Sequence, residues 1–425
     1  MIVQRDNIGI FGKVNAGKSS LMNLLTQQTT SIVDSKPGTT TDTKITVQEI
    51  HGMGPIKLFD TAGINEKGAL GDKKRKKAFN DLKECDLILL VINPNIGNFE
   101  TERLIVEKVR AYNKQMLIVY NLFKEEDGQK IKKVEEKICE LKSFKKINVR
   151  AIDKIYRRLL LNFILNNFES KNYKVDLLPF VKKNEYYVLN IPMDEETPPG
   201  RYLRPQQMVE EYITRNWAYP ISYRMNLKKA RSQNPIEAEE ERNRYLTLLN
   251  NSKKRPKAVI TDSQAIDIIS KWTPDDIEIT TFSIIMINYI TKGRLRLFAE
   301  GIKIMDSIRK GDKILIAEAC NHSRIAEDIG TVQIPNYIKR KYPGVIIQHN
   351  FGREFMDNKD LRNYKLIIHC GGCMIDHQKM YARIQDLINA GVPFTNYGIF
   401  LSYMQGENVL KRVLNPFKIP YFTKK

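Results

Sequence analysis

The chain is 425 residues long, 42% hydrophobic and 28% charged, with a formal net charge of +20; that length predicts about two to three domains. It has no run of about 18 uncharged apolar residues, which excludes an ordinary membrane-spanning helix, and Met1-Ile2-Val3-Gln4-Arg5-Asp6 lacks the basic-then-apolar layout of a signal peptide. The charge is spread along the chain, and its one dense run, Lys73-Lys74-Arg75-Lys76-Lys77, reads as a solvated helix face rather than a polyanion site.

Taken in order, Asn7 to Phe11 reads as a strand, Ser19 to Leu25 as a helix, and Ile45 to Ile50 with Ile56 to Phe59 as a pair of strands. Leu87 to Ile92 and Met116 to Tyr120 are continuous apolar strands, with helices predicted over Arg103 to Tyr112 and Ile131 to Leu141. Strands alternating with helices of this length predict an α/β domain around a mostly parallel sheet, ending near Phe168. After a linker, Tyr186 to Ile191 reads as a strand, Pro192 to Gly200 as a Pro-rich loop, and Gln206 to Asn216 as a helix. The charged stretch Asn226 to Asn251 is predicted helical and Ala258 to Thr261 a strand; this region is too small for a comfortable core and invites completion by a partner subunit. The last region opens with the apolar helix Ser283 to Lys292, and its strands Ile314 to Ala317 and Leu366 to Ile368 each run into a thiol motif.

Gly12-Lys13-Val14-Asn15-Ala16-Gly17-Lys18-Ser19 fits G-x-x-x-x-G-K-[ST], a phosphate-binding loop set between a strand and a helix. Gly12 and Gly17 allow consecutive N–H groups to curl around phosphates, with Ala16 and Ser20 in the same cradle. Lys18 reaches the terminal phosphates and Ser19 offers a hydroxyl to Mg²⁺. Asp60-Thr61-Ala62-Gly63 follows a strand, so Asp60 is placed for Mg²⁺ and the Gly63 N–H for the γ-phosphate. In Gly38-Thr39-Thr40-Thr41-Asp42, Thr40 is the expected switch threonine that closes on Mg²⁺. The loop together with Gly-Thr-Thr resembles translation-factor-like GTPases that use potassium in place of an arginine finger, which implies Asn15 as a potassium ligand. Those GTPases read guanine with Asn-Lys-x-Asp; here the segment is Asn121-Leu122-Phe123-Lys124, with Asn121 in place and Lys124 at the carboxylate position. Phosphate binding is therefore well marked while the guanine-reading carboxylate is missing, and the later Ser-Ala element is altered to Arg150-Ala151.

Five cysteines, an odd number with three in two short clusters, point to a reducing, cytoplasmic setting. Cys320-Asn321-His322 and His369-Cys370-Gly371-Gly372-Cys373 suit either a closed tetrahedral zinc or an iron–sulfur cluster with an open fourth position. Glycines between Cys370 and Cys373 favour the cluster, because they let backbone N–H groups approach sulfides. Cys85 and Cys139 read as core thiols, and His51, His349 and His377 as structural or surface residues.

Over essentially its full length the chain resembles the HydF family of [FeFe]-hydrogenase maturation GTPases. The resemblance rests on the nucleotide loop, Pro198-Pro199-Gly200-Arg201, Ile260-Thr261-Asp262-Ser263-Gln264-Ala265, Glu318-Ala319-Cys320-Asn321-His322, Ile368-His369-Cys370-Gly371-Gly372-Cys373-Met374 and Val392-Pro393-Phe394-Thr395-Asn396-Tyr397-Gly398. It implies a GTPase domain (1–170), a small α/β dimerisation domain (171–278) and an α/β cluster-binding domain (279–425). It also implies a [4Fe-4S] cluster on Cys320, Cys370 and Cys373, with His322 or His369 at an exchangeable fourth position. The expected cargo is a di-iron precursor delivered to apo-[FeFe]-hydrogenase, with radical-SAM maturation enzymes as further partners and a homodimer as the assembly. The family commonly carries two consecutive histidines after Cys-x, whereas His322 is followed by Ser323. The alternatives are a potassium-dependent GTPase acting on rRNA or tRNA with a structural zinc, and a nucleotide-dead cluster scaffold; neither nucleic acid nor a membrane is the expected partner.

Overall fold

The structure is a computed structural model that describes residues 5–27, 43–61, 64, 69–170, 175–192, 202–251, 254–319, 328–352, 355–356, 358–372 and 375–420. The chain divides into two compact units, residues 2–173 and 174–425.

The first unit holds strands β1 (Asp6–Phe11), β2 (Lys44–Ile50), β3 (Gly54–Asp60), β4 (Leu87–Ile92), β5 (Gln115–Asn121) and β6 (Lys146–Val149). Their order is β2-β3-β1-β4-β5-β6, antiparallel only at β2–β3. The unbroken apolar run of β4 follows from burial on both sheet faces. Leu87, Leu89 and Val91 pack with Leu21, Leu25, Leu160 and Ile164 on one side, while Ile88, Leu90 and Ile92 pack with Leu82, Ile105 and Val109 on the other. Each such side chain contributes about 1.5–3 kcal/mol, so β4 anchors both helical layers. The predicted helix over Ile131 to Leu141 stops at Lys137 and resumes as a 3-10 turn, Cys139–Ser143. Ile138 leaves helical geometry at φ −127° and turns its buried side chain inward. That leaves Cys139 exposed rather than in the core, whereas Cys85 is buried as expected.

In the second unit, β7 (Tyr186–Asn190), β8 (Tyr219–Tyr223), β9 (Ala258–Thr261) and β10 (Glu278–Thr281) form a parallel sheet in the order β10-β9-β7-β8. A second parallel sheet, β12-β11-β13-β14, comprises β11 (Lys313–Glu318), β12 (Ile346–Phe351), β13 (Leu366–His369) and β14 (Phe394–Asn396). The helix Phe282–Ile290 is apolar all round because it is buried on both sides. Ile284, Ile287 and Ile290 join the large core of this unit, and Phe282, Ile285 and Met286 join the core beneath β7 and β9. The middle region also draws on the C-terminal segment of its own chain: Thr280 Oγ1 donates to the Val413 carbonyl at 3.0 Å, and Arg412 donates to the carbonyls of Ser270 and Pro274. The charged stretch after Asn226 is two helices, Leu227–Ala230 and Pro235–Asn250. Pro235 occupies the first turn, where its missing N–H costs nothing, and Asn234 caps it by accepting from Ile236 N at 3.1 Å. Among the described residues no helix is long and apolar enough to cross a membrane.

Candidate functional site: a phosphate loop and a thiol-bearing strand edge

The pairing of β1 with β3 builds the nucleotide end. Ile10 lies in register with Asp60, so the loop after Phe11 and the carboxylate of Asp60 emerge side by side at the carboxyl edge of the sheet. A Cβ on Gly12 would come 2.4 Å from the Val91 carbonyl oxygen, so only glycine lets the loop pass β4. Gly17 has φ +94°, and a Cβ there would lie 2.0 Å from Asn121 Nδ2. Asn15 is exposed at the loop's tip with φ 62°. Ala16 is buried beneath it, and Ser20 lies half-buried on the first turn of the helix Lys18–Thr26.

Ser19 Oγ donates to Asp60 Oδ2 at 2.9 Å. Asp60 is fully buried, and its other oxygen, Oδ1, has no hydrogen-bond partner. A buried carboxylate oxygen left without a partner costs about 1–3 kcal/mol or more, and beside a hydroxyl it is half of a hard-cation site. The donor set therefore fits Mg²⁺. Lys18 is buried and donates to the Lys13 carbonyl across the loop at 3.0 Å. Burial lowers its pKa to about 8, against the opposing pull of Asp60 and Glu102. Glu102, at the start of the helix Glu100–Ala111, is buried with Oε2 unpartnered; burial raises its pKa, and Lys13 and Lys18 oppose the rise. Sequence alone did not single it out, because Glu in a first helical turn is ordinary dipole compensation.

At the base end, Asn121 ties two loops together. Its Nδ2 donates to the Ala16 carbonyl at 3.0 Å, and its Oδ1 accepts from Ala151 N at 3.0 Å. The carboxylate missing at Lys124 reappears three residues on, turned the other way. Asp127 is buried and accepts from Phe123 N (3.1 Å) and Lys124 N (2.9 Å). Hydrogen bonding from Asn95 first, and then from Lys124, lowers its pKa to about 2. Thr40 and Gly63 lie outside the described residues.

The thiol end is again built at a strand edge. Ala317 on β11 is in register with His369 on β13, and Cys370 N donates to the Ala317 carbonyl at 2.9 Å. Cys370 is buried and its Sγ accepts from Ala319 N at 3.2 Å, one residue before Cys320 in the sequence. An N–H directed at sulfur stabilises a thiolate, so this residue fits cluster ligation. Cys320, His322 and Cys373 lie outside the described residues. Among the described residues no three His, Cys, Asp or Glu side chains gather as a metal-holding group.

Arg383 is 1% exposed and donates through Nη1 to His369 Nε2 at 2.9 Å and through Nη2 to the Gly352 carbonyl at 2.7 Å. Guanidinium has no acceptor, so Nε2 is the unprotonated nitrogen and Nδ1–H donates to the Cys370 carbonyl at 2.8 Å. Both nitrogens of His369 are therefore engaged in this structure. Tyr397 donates to Glu318 Oε1 at 2.9 Å beneath the same edge, and burial with the Glu318 carboxylate raises the phenol well above its ordinary pKa. His377 is buried with Nδ1 on the Ile290 carbonyl, and His349 bonds the Gly330 carbonyl, so both have structural partners.

Residues 7–122 match the model described as 50S ribosome-binding GTPase. Relatives over this part include the tRNA modification GTPase MnmE of Exiguobacterium sibiricum, 40% identical over 26% of this chain and 24% of its own length. GTPase Der of Buchnera aphidicola is 34% identical over 27% of this chain and 25% of its own. The chain thus spans about a quarter of the length of the curated relatives it matches. A solved structure of Era, in complex with MgGDPNP and a 16S ribosomal RNA segment, has 26% identity and a TM-score of 0.36, covering 40% of this chain and 59% of its own. Residues 177–293 match the hydrogen maturase F dimerization domain and residues 296–416 the hydrogen maturase F tetramerization domain. With a GTPase domain followed by these two domains in succession, the chain belongs to the hydrogen maturase F (HydF) family.

Proposed function

We propose that the chain is a magnesium-dependent GTP hydrolase whose nucleotide state governs a C-terminal cluster scaffold serving [FeFe]-hydrogenase maturation. The observation that carries the nucleotide half is the convergence of Lys18, Ser19 and Asp60, with Asp60 Oδ1 buried and unbonded. Backbone N–H groups of Gly12 to Ser19 cradle the β- and γ-phosphates, and Lys18 exchanges the Lys13 carbonyl for phosphate oxygen. Magnesium held at this site would neutralise charge on the transferring phosphoryl group. Ser19, Thr40 and Asp60 are the oxygen donors that would hold it, the Gly63 N–H meets the γ-phosphate, and Asn15 supplies a ligand to potassium. Loops that tighten on the triphosphate and relax after hydrolysis bias the docking of partners.

On the same reading, Cys320, Cys370 and Cys373 hold a [4Fe-4S] cluster, which supplies an iron site able to exchange its fourth ligand. His322 and His369 are the candidates for that position, and His369 must release Arg383 Nη1 to take it. The cargo is the di-iron precursor, exchanged with radical-SAM maturation enzymes and apo-[FeFe]-hydrogenase. Matches to dimerization and tetramerization domains support self-association, with the homodimer as the working unit.

Anaerobic purification with iron, acid-labile sulfide and zinc quantification tests the cluster. Wild type should carry about four iron and four sulfide per chain, lost in Cys370→Ser/Cys373→Ser. Lys18→Ala should abolish hydrolysis and keep the iron. Iron lost with Lys18→Ala refutes the modular arrangement. Stoichiometric zinc without sulfide returns the chain to the RNA-associated GTPase reading.

A further inference from the structure

A site that reads guanine must accept hydrogen bonds from its N1–H and exocyclic amine and offer donors to its O6. The two loops flanking the phosphate loop's far end have already used both kinds of group on each other. Asn121 Nδ2 donates to the Ala16 carbonyl and Ala151 N to Asn121 Oδ1. Leu122 N donates to the Val149 carbonyl at 2.8 Å, and Phe123 N and Lys124 N both donate to Asp127 Oδ2. Asp127 holds its own turn, Glu125–Lys130, and is 3% exposed, while its Oδ1 lies 3.4 Å from Lys130 Nζ. At the two altered motif positions the side chains are donor-only cations: Lys124 is exposed, and Arg150, next to Ala151, has a buried Nε with no partner. Phe123 and Ile152 on the same two loops are 48% and 74% exposed, and an aromatic face stacks on any base without reading its edge.

We propose that this site selects the triphosphate and not the base: with donor-only Lys124 at the guanine-reading position and Asp127 bonded into its own turn, GTP, ITP and ATP are taken with similar affinity. The inference rests on the nucleotide reading above and widens its substrate from guanine nucleotides to purine nucleoside triphosphates. Donor facing donor removes guanine's advantage, whereas adenine presents an acceptor at N1 and inosine lacks the exocyclic amine. Discrimination by one buried hydrogen bond is worth roughly 10- to 100-fold, and that factor is absent here.

The test is displacement of a fluorescent N-methylanthraniloyl-GDP from the full-length chain in Mg²⁺ by the β,γ-imido forms of GTP, ITP and ATP. Wild type should give three dissociation constants within about fivefold, less than one hydrogen bond's worth of selection. Lys124→Asp, an exposed position that tolerates exchange, should set the GTP form ahead of the ITP form by roughly tenfold or more. Asp127→Asn should leave the wild-type ratio unchanged, since its carboxylate is engaged by Phe123 N and Lys124 N of its own loop and by Asn95. A wild-type preference for the GTP form over the ITP or the ATP form above about tenfold, or a GTP-to-ITP ratio that collapses in Asp127→Asn, overturns the inference and leaves the hydrolase reading standing. Binding of none of the three by folded protein overturns both.

Discussion

Gly17→Ala tests whether the phosphate loop and the base-side loops are one mechanical unit. At φ +94° an L-residue is held where backbone strain costs about 1–3 kcal/mol. The new Cβ would lie 2.0 Å from Asn121 Nδ2, so that amide must leave the Ala16 carbonyl. Losing a buried bond of this kind costs about 1–3 kcal/mol, for a combined loss of about 2–6 kcal/mol. Both tryptophans, Trp217 and Trp272, belong to residues 174–425. In urea, tryptophan fluorescence therefore follows that unit alone, while far-UV circular dichroism follows both. The circular-dichroism transition of the N-terminal unit should move to lower urea, and the fluorescence transition should stay. Asn121→Ala is the second arm of the cycle, because Asn121 Cβ is 3.9 Å from the new methyl, an ordinary contact. In that background Gly17→Ala should cost only the backbone strain, giving a coupling of about 1–3 kcal/mol. Additive losses, with coupling below about 0.5 kcal/mol, would show that Asn121 does not brace the loop.

Lys18 sets the pH response of the same site. Unliganded, it titrates near 8, so above that pH it must take up a proton to meet a triphosphate, and affinity should fall by up to about tenfold per pH unit, read by calorimetry. Between about 8 and 10.5 the unfolded chain holds more protons at this site than the native chain, so its contribution to stability rises with pH across that window and should vanish in Lys18→Met. Glu102→Gln removes a carboxylate that favours charged Lys18, so the break in affinity should move below pH 8; an unmoved break would show the two groups are uncoupled. Arg383→Met leaves His369 Nε2 and the Gly352 carbonyl without their buried donor, at about 1–3 kcal/mol each. The tryptophan-reported urea midpoint should drop, and Arg383→Lys should recover little, because one ammonium does not reproduce the two-pronged fork.

Much of this was legible in the sequence where a single physical rule dominates. Leu87 to Ile92 is apolar at every position because both faces are covered, and its predicted and observed limits coincide. The phosphate loop was legible because its glycines answer backbone demands, at Val91 and at Asn121. What escaped was short or relational. The three-residue strand β14 and the exposed β12 carry no period of their own, and the sheet supplies their pairing. Asp127 was hidden because its displacement by three residues reads as noise until the turn Glu125–Lys130 is folded. The engagement of His369 could not be read from Cys370 at all, since its partner Arg383 lies fourteen residues away on a helix.

Both candidate sites arise from the same construction, and it explains why their parts lie so far apart in the chain. Parallel strands need a crossover between them, so neighbours in space are distant in sequence and deliver their loops to one edge. β1 and β3 bring the loop after Phe11 to Asp60; β11 and β13 bring Ala319 to Cys370. Register then matters more than any one ligand. Slipping β3 by one residue would turn Asp60 to the opposite sheet face and replace it with Thr61 or Phe59. The fully buried flanks on these central strands, Leu58 and Phe59 on one and Ile367 and Ile368 on the other, therefore act on the chemistry as well as on stability. Their alternation between faces fixes which side chain meets phosphate and which thiol meets its N–H.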